Sequence, residues 1–118
     1  MKTNLKYTDI PPSSAIETYV TQKIGELDKF INIHETAAKG GAAVEAWVEV
    51  GRTTGHHKKG DVFRAEVQIK LPGKFSVRAE SIQPDLHLAI DETRDELEQQ
   101  LRRYKDKQRT KALRSVRA

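Results

Sequence analysis

Residues 84–118 read PDLHLAIDETRDELEQQLRRYKDKQRTKALRSVRA, and this stretch decides the fold. Six mostly apolar side chains recur at spacings of four, three, four, four and three, which form one stripe along a helix of period 3.6. The stripe consists of Leu86, Ile90, Thr93, Leu97, Leu101 and Tyr104. From Arg102 onward the segment carries eight Lys or Arg residues against one acid, Asp106. The pattern predicts a helix that packs one face on a core and presents a basic end to an anionic partner.

The positive charge of the chain is concentrated at this end. The 118 residues have a net charge of +4, whereas residues 102–118 alone carry +7, so residues 1–101 carry −3. Such polarity is typical of an electrostatic footprint on nucleic acid. A solvated basic tail that needs no partner would give the same charge distribution. The charge alone leaves these two interpretations equally open.

The composition excludes several classes of function. With no cysteine, the chain cannot form disulfides, thiolate metal sites or a cysteine nucleophile. It has no apolar run long enough for a membrane span, and its N-terminus, MKTNLKYTDIPP, lacks the apolar region of a secretory signal. No pattern of a nucleophile and base, a phosphate loop or a metal triad is present. We therefore expect a cytoplasmic binding protein that is not an enzyme and has no cofactor, small-molecule substrate or membrane contact.

A second amphipathic helix is predicted near the N-terminus. Ser13 and Ser14 are both natural N-cap residues, and Ser14 with Glu17 has the spacing of a capping box, in which side chains satisfy free backbone N–H groups at a helix start. Apolar residues then recur every three or four positions, which predicts a helix from about Ser14 to Phe30. These residues are Ile16, Val20, Ile24, Leu27 and Ile31. Two prolines separate this helix from a short strand predicted at residues 3–7.

The middle of the chain changes to a period of two, which is typical of half-buried strands. Apolar and polar residues alternate over residues 44–50, 63–71 and 75–79. Loops or turns with glycine are predicted between the elements, at residues 32–42, 51–60 and 72–73. The element order is therefore β-α-β-β-β-α.

This order favours a two-layer α+β fold. A β-α-β unit can place its strands parallel, and the later strands form an antiparallel meander. Because each helix has one apolar stripe and each strand one apolar face, both helices are expected to pack on one face of a four-stranded mixed sheet. We expect one domain over residues 1–107 and a basic, disordered tail over residues 108–118, where the apolar stripe ends.

The alternation places Trp47 on the open face of this sheet, among charged residues. An exposed indole could stack on a nucleic-acid base or on a nearby arginine. A bulge in the strand would instead turn Trp47 into the core. The sequence leaves both alternatives open. The open face is expected to carry Glu45, Trp47, Glu49, Arg64, Glu66 and Arg78.

Three segments, in this order, carry a family resemblance. The first helix reads AIETYVTQKIGELDKF at residues 15–30, and the strands read FRAEVQIKLPGKFSVRAE at residues 63–80. The final helix has AID at residues 89–91 and LEQQLRRYKDK at residues 97–107. The last two segments resemble V-x-V-x-I-x-L-P-G-x-x-L-R-A-E and A-I-D…D-K-L-E-R-Q-L-R-K-Y-K-D-K. Together, over residues 1 to about 107, they resemble the ribosome hibernation-promoting factors, also called ribosome-associated translation inhibitors.

The resemblance implies a ribosome-binding domain similar in fold to double-stranded-RNA-binding domains. Family members bind the small ribosomal subunit and its ribosomal RNA in the channel of messenger and transfer RNA. They inhibit translation under stress or in stationary phase. The short form of the family is implied, which is expected to be a monomer off the ribosome. The alternative is a protein–protein regulatory module that acts on a transcription or translation factor through the open sheet face.

The basic positions that match the family predict contacts with ribosomal RNA phosphates. They are Lys23, Lys29, Arg102, Arg103, Lys105 and Lys107. Acidic or neutral residues replace usual family bases at Glu26, Glu96 and Gln99, and Arg94 is expected to supply basic charge near Glu96. Further RNA contacts are expected from the hairpin loop, the sheet face and the tail, at Arg52, His56, His57, Lys58, Lys59, Arg64, Arg78, Arg109 and Lys111. For the hairpin loop, whose adjacent histidines lack the spacing of a metal site, a solvated loop is an equal alternative.

Overall fold

The predicted α+β fold and its element order are confirmed. The computed structural model describes residues 1–31, 44–53, 62–71 and 75–117, with side chains as far as residue 107. Its elements are β1 (Lys2–Thr8), α1 (Ser14–Gly25), a 3-10 helix (Glu26–Phe30), β2 (Glu45–Arg52), β3 (Phe63–Leu71), β4 (Phe75–Gln83) and α2 (Leu86–Arg117). The predicted loops at residues 32–42 and 72–73 lie outside the described residues, as do residues 54–60 of the predicted hairpin loop, whereas Gly51 and Arg52 belong to β2.

The sheet is four-stranded and mixed, with the strand order β1-β2-β3-β4. β1 pairs with β2 in parallel, and the other neighbours are antiparallel. At the end of the parallel pair, Thr8 lies opposite Gly51. A Cβ atom at Gly51 would come within 2.0 Å of the Thr8 carbonyl oxygen, so a side chain there would force the two strands apart. Glycine therefore allows the pairing to continue to the end of β1.

Both helices pack on one face of the sheet, as their apolar stripes predict. Alternate strand residues supply one side of the core, including Val48, Val67 and Ile69. The helices supply the other side through Val20, Ile24, Leu27, Ile90, Leu97 and Leu101. Burial of each large aliphatic side chain contributes about 1.5–3 kcal/mol to folding. This shared core fixes the position of α2 relative to α1 and the 3-10 helix.

The start of the first helix differs from the capping-box prediction by one residue. Ser13, not Ser14, is the N-cap, because its backbone is extended and its hydroxyl accepts a hydrogen bond from the Ile16 N–H at 3.4 Å. The α-helix also ends at Gly25, and a 3-10 helix completes the segment to Phe30. Glycine has a low helix propensity, which favours the change of helix type at this point.

The final helix begins at Leu86 rather than at Pro84. Asp85 caps it, since its carboxylate accepts from the His87 N–H at 2.9 Å and its carbonyl accepts from the Ala89 N–H at 3.1 Å. At the other end the helical backbone continues to Arg117, whereas the sequence predicts a disordered tail from residue 108. The boundary between a domain and a tail at residue 107 stays a prediction.

Candidate nucleic-acid interface

The basic end of α2 is anchored by the last residues of the apolar stripe. Leu101 is fully buried, and the half-buried Tyr104 ring packs edge-on against Phe75, with the ring centroids 5.4 Å apart. Successive helix residues are rotated by about 100°. Because Leu101 points into the core, Arg102 and Arg103 must point out of it, and both are exposed.

One flank of this helix end faces the 3-10 helix. The Arg102 guanidinium lies 4.8 Å from the centroid of the Phe30 ring, and the Lys29 ammonium lies 5.2 Å from the same centroid. These are cation–π distances, so one ring from the 3-10 helix holds two cations from different elements. Lys105 follows three residues after Arg102 on the same flank of the helix and is exposed. This cluster of Lys29, Arg102 and Lys105, with Phe30 beneath it, is named the inner flank.

The other flank faces the edge strand β4. The Gln100 side chain donates to the Arg78 carbonyl at 2.8 Å and accepts from the Arg78 N–H at 3.1 Å, which satisfies both outward backbone groups of that edge residue. Arg103 and Lys107 lie three and seven residues after Gln100, so they continue along the same flank. Both are exposed, and this pair is named the outer flank.

Lys23, the predicted cation of the first helix, is partly neutralised. Its ammonium is 3.7 Å from the Asp91 carboxylate, which also accepts a 2.5 Å hydrogen bond from the Tyr19 hydroxyl. That hydrogen bond favours the protonated phenol and raises the pKa of Tyr19 to about 12. No local pattern in the sequence indicates this cluster, because Tyr19 and Asp91 lie 72 residues apart.

Arg94 joins the two helices instead of facing solvent. Its guanidinium is within 3.1 Å of Glu26, within 3.0 Å of Asp95 and within 3.0 Å of Glu98, and only 14% of its side chain is exposed. Although burial acts to raise the pKa of Glu98, Arg94 and Arg102 outweigh it and lower that pKa. The charge of Arg94 is therefore neutralised within the chain. Asp95 and Glu98 belong to the same helix as Arg94, and Glu26 belongs to the 3-10 helix.

Two further predicted arginines lie on the opposite, open face of the sheet. Arg64 contacts Glu49 at 3.2 Å, Glu80 at 3.1 Å and also Glu66, while Arg78 contacts Glu66 at 2.8 Å. The register sets these three glutamates side by side across β2, β3 and β4, where like charges repel. Arg64 thus offsets the repulsion, and its hydrogen bond lowers the pKa of Glu80 despite partial burial.

We expect the substitution Arg64→Gln to destabilise the fold by about 2 kcal/mol at pH 7, the contribution typical of hydrogen bonds to charged groups. Because the folded-state pKa of Glu80 lies below its ordinary value of 4.5, the wild-type stabilisation is present above that pH and is lost on further acidification. In the variant, protonation of the three glutamates relieves repulsion, so the difference should shrink below about pH 4. Urea unfolding at several pH values measures the difference in stability between the wild type and Arg64→Gln, with the exposed Arg52→Gln as control. If the stabilities of the wild type and Arg64→Gln changed with pH in parallel, this role of Arg64 would be contradicted.

The remaining predicted residues lie apart from the helix layer or outside the described residues. Arg52 is at the end of β2, with its guanidinium 5.8 Å from the Phe63 ring centroid. The loop residues His56, His57, Lys58 and Lys59 lie outside the described part of the chain, as do the side chains of Arg109 and Lys111 in α2. Among the described residues, no group of His, Asp or Glu side chains could hold a metal ion, and no helix is long and apolar enough to cross a membrane.

The structure thus gathers five of the predicted basic residues on one end of α2 and the adjoining 3-10 helix. The inner and outer flanks bring together Lys29, Arg102, Arg103, Lys105 and Lys107. Within the described residues only Arg102 of these five forms an ion pair, with Glu98 at 3.3 Å. Phe30, which the sequence pattern marks only as the end of a helix, is the side chain that joins two of these cations. Neighbouring exposed cations with few internal partners form a surface suited to phosphate groups.

Comparison with known proteins identifies relatives of this chain. The model of the family described as Sigma 54 modulation protein / S30EA ribosomal protein matches residues 3–109. The ribosome hibernation promotion factor of Lactococcus lactis subsp. cremoris (strain MG1363) is 32% identical over 117 residues, which are 98% of this chain and 56% of that relative. The chain therefore spans little more than half of the relative's length.

Two solved structures share the fold. The N-terminal domain of Protein Y from Thermus thermophilus superimposes with a TM-score of 0.69 at 30% identity, and the match covers 88% of this chain and 99% of that one. A ribosomal subunit interface protein from Coxiella burnetii gives a TM-score of 0.66 and covers 90% of this chain and 99% of its own. At 17% identity the second likeness shows the fold alone.

Proposed function

This chain belongs to the Sigma 54 modulation protein / S30EA ribosomal protein family, and we propose that it binds the small ribosomal subunit through the two basic flanks of α2 and keeps the ribosome from translating. The ribosome hibernation promotion factor from Lactococcus lactis supports this proposal, since it is similar to nearly all of the chain. Membership of this family also agrees with the prediction that the chain is not an enzyme.

The observation that carries the proposal is the pair of cations on Phe30. Lys29 and Arg102 come from separate elements, yet both lie within about 5 Å of one ring centroid. Their charges are therefore held in place before any ligand binds, which reduces the entropy lost on binding. Arg103, Lys105 and Lys107 extend the same positive surface along the helix.

Such a surface suits a folded RNA more than a particular sequence. Lysine and arginine contacts to phosphates position a protein on RNA without reading its bases. Arginine binds a phosphate through two parallel hydrogen bonds, which suits Arg102 and Arg103 to fixed phosphate positions. We place the binding site in the channel of messenger and transfer RNA, where occupation alone blocks initiation. The implied conditions are stress and stationary phase.

The test is co-sedimentation of the chain with vacant small subunits. We expect binding at low salt that weakens steeply as salt rises, because phosphate contacts release counterions. Messenger RNA together with initiator transfer RNA should displace the chain if all of them occupy the same channel. A chain that stays at the top of the gradient at low salt with vacant subunits would contradict the proposed function. Binding without competition would contradict only the location in the channel.

A further inference from the structure

The open face of the sheet presents one exposed aromatic ring in a row of polar side chains. The indole of Trp47 is 39% exposed on the central strand β2, so the alternative that buries it in the core is wrong. The strand register places Asn4, Gln68 and Arg78 in the same row across all four strands. Every position in this row carries either an aromatic ring, an amide or a guanidinium. These are the groups that stack on nucleic-acid bases or hydrogen-bond to their edges.

Cations lie on both sides of this row. The Lys70 ammonium is 5.0 Å from the centroid of the Trp47 ring, on the side of Glu45. On the other side, a shallow pocket of about 230 Å³ borders the indole and is lined by Asn4, Lys6, Glu49, Glu66 and Gln68, together with Leu5 and Val48. Lys6 and Lys70 are exposed and form no ion pair with another described residue.

The carboxylates of the pocket are already occupied. Glu49 and Glu66 both contact Arg64, and Glu66 also contacts Arg78. The amide groups of the pocket are more available: Asn4 donates to Glu45 and to the Ala46 carbonyl, which leaves its oxygen as an acceptor, and Gln68 forms no side-chain hydrogen bond with another described residue. The available groups around the indole are therefore amides and lysines, while Glu49 and Glu66 are paired with arginines of the sheet and Glu45 accepts a hydrogen bond from Asn4.

We propose that this face is a second RNA contact, in which an unpaired base of single-stranded RNA stacks on Trp47. Asn4 and Gln68 would hydrogen-bond the edge of that base, and Lys6 and Lys70 would contact the flanking phosphates. Stacking tolerates any base because every base has a π-face. The surface lies on the far side of the sheet from the basic flanks of α2, so a single-stranded segment could bind it while the helices contact another part of an RNA.

A polypeptide partner fits this face less well. Protein interfaces have an apolar core with several large side chains, whereas Trp47 is the one exposed large apolar side chain on the described part of this face. The other exposed large apolar side chains among the described residues lie elsewhere. Val62 precedes β3, Phe75 begins β4 and packs on the helix side, and Leu88 lies on α2. Single-strand binding surfaces combine positive charge with aromatic side chains on which bases stack, and this face supplies one such ring between two lysines.

The proposal can be tested directly because Trp47 is the only tryptophan in the chain. The full chain carrying Arg102→Glu, Arg103→Glu and Lys105→Glu is used, so that the helix surface does not mask the result. Titration with single-stranded oligoadenylate should quench the tryptophan fluorescence to saturation, and the effect should weaken as salt rises. The duplex of oligoadenylate with oligouridylate, whose bases are not available for stacking, should give little quenching.

Three variants separate stacking from charge. In a fluorescence anisotropy assay with labelled oligoadenylate, Trp47→Leu should weaken binding about 10- to 100-fold, the range for removal of one stacked base, and Trp47→Phe should restore most of it. Lys6→Glu with Lys70→Glu should weaken binding and flatten its salt dependence. Unchanged binding by Trp47→Leu, no quenching, or equal quenching by the duplex would overturn the proposal.

This inference and the proposed function can fail separately. Loss of ribosome binding in the helix variant with retained quenching supports both. Loss of quenching with intact ribosome binding by the wild-type chain overturns only the sheet-face contact. A fluorescence change caused by a nuclease-treated protein fraction, but not by oligoadenylate, assigns the face to a polypeptide and overturns the proposal.

Discussion

The triple substitution Arg102→Glu, Arg103→Glu and Lys105→Glu is expected to weaken binding to the small ribosomal subunit by at least about 100-fold, since hydrogen bonds to charged groups contribute about 1.5–3 kcal/mol each. The three side chains lie on both basic flanks. Each charge reversal also places a carboxylate beside a proposed phosphate position, where the two negative charges repel. On a plot of the logarithm of the binding constant against the logarithm of the salt concentration, the magnitude of the slope should fall by about three. Each phosphate that is no longer neutralised accounts for about one. Co-sedimentation over a range of salt concentrations measures both quantities.

The fold should survive this change. All three side chains are exposed, and Leu101 beside them keeps its place in the core. Arg102 loses one ion pair with Glu98, which contributes only about 0.2–0.5 kcal/mol, and one cation–π contact with Phe30, which contributes about 0.5–1 kcal/mol at an exposed site. Circular dichroism and thermal unfolding should therefore stay close to those of the wild type. A variant that is folded and still binds the subunit would show that the end of α2 does not form the interface.

A matched control changes the same charge on the other side of the sheet. Lys2, Lys6 and Lys70 are exposed on the open face, and their replacement by glutamate alters the net charge by the same amount. If ribosome binding depended only on the overall charge, both triple variants would lose it equally. We expect the control variant to lose far less affinity for the small subunit than the helix variant, because Lys6 and Lys70 are proposed to contact only a single-stranded segment. The comparison therefore tests the position of the charge and not its amount.

The fold could be predicted because local patterns and tertiary packing agree. The stripes of the two helices and the alternation in the strands each specify one buried face, and a sheet covered by two helices satisfies all of them. The boundaries were less well predicted. Ser13 and Ser14 are equally good caps by residue type, and only the extended backbone of Ser13 selects it. Gly25 weakens the helix through its low helix propensity, but that propensity alone does not predict that a 3-10 helix follows.

The sequence predicted which basic residues belong to the site, but not the acidic residues with which some of them form ion pairs. The family resemblance predicted that Arg94 supplies basic charge near Glu96, yet Arg94 lies between two helices and pairs with Glu26, which is 68 residues away in sequence. Arg64 was predicted to contact RNA and lies among three glutamates of the sheet. Periodicity gives the face on which a side chain lies, whereas ion pairing depends on which elements meet there. For Trp47 the face was the deciding question, and alternation identified it correctly.

Leu101→Ala is expected to have the largest effect on stability. The side chain is fully buried at the point where the apolar stripe of α2 meets its basic end. Removal of a buried leucine side chain costs about 2–5 kcal/mol, because its apolar packing disappears and a cavity remains. For a chain of this size the midpoint of thermal unfolding should fall by about 10 °C or more. Differential scanning calorimetry or a thermal melt followed by circular dichroism measures the change.

The same helix supplies the control for this prediction. Leu88 is 42% exposed, so Leu88→Ala removes the same atoms from the same helix without opening a cavity, and it should change stability by less than about 0.5 kcal/mol. The two variants also separate anchoring from charge, since neither alters a basic residue. If Leu101 holds Arg102 against Phe30, its alanine variant should bind the small subunit more weakly even below its unfolding temperature, while Leu88→Ala should bind normally. Equal stability of the two variants would mean that α2 does not pack through Leu101, and the basic flanks would then lack the anchor on which their geometry depends.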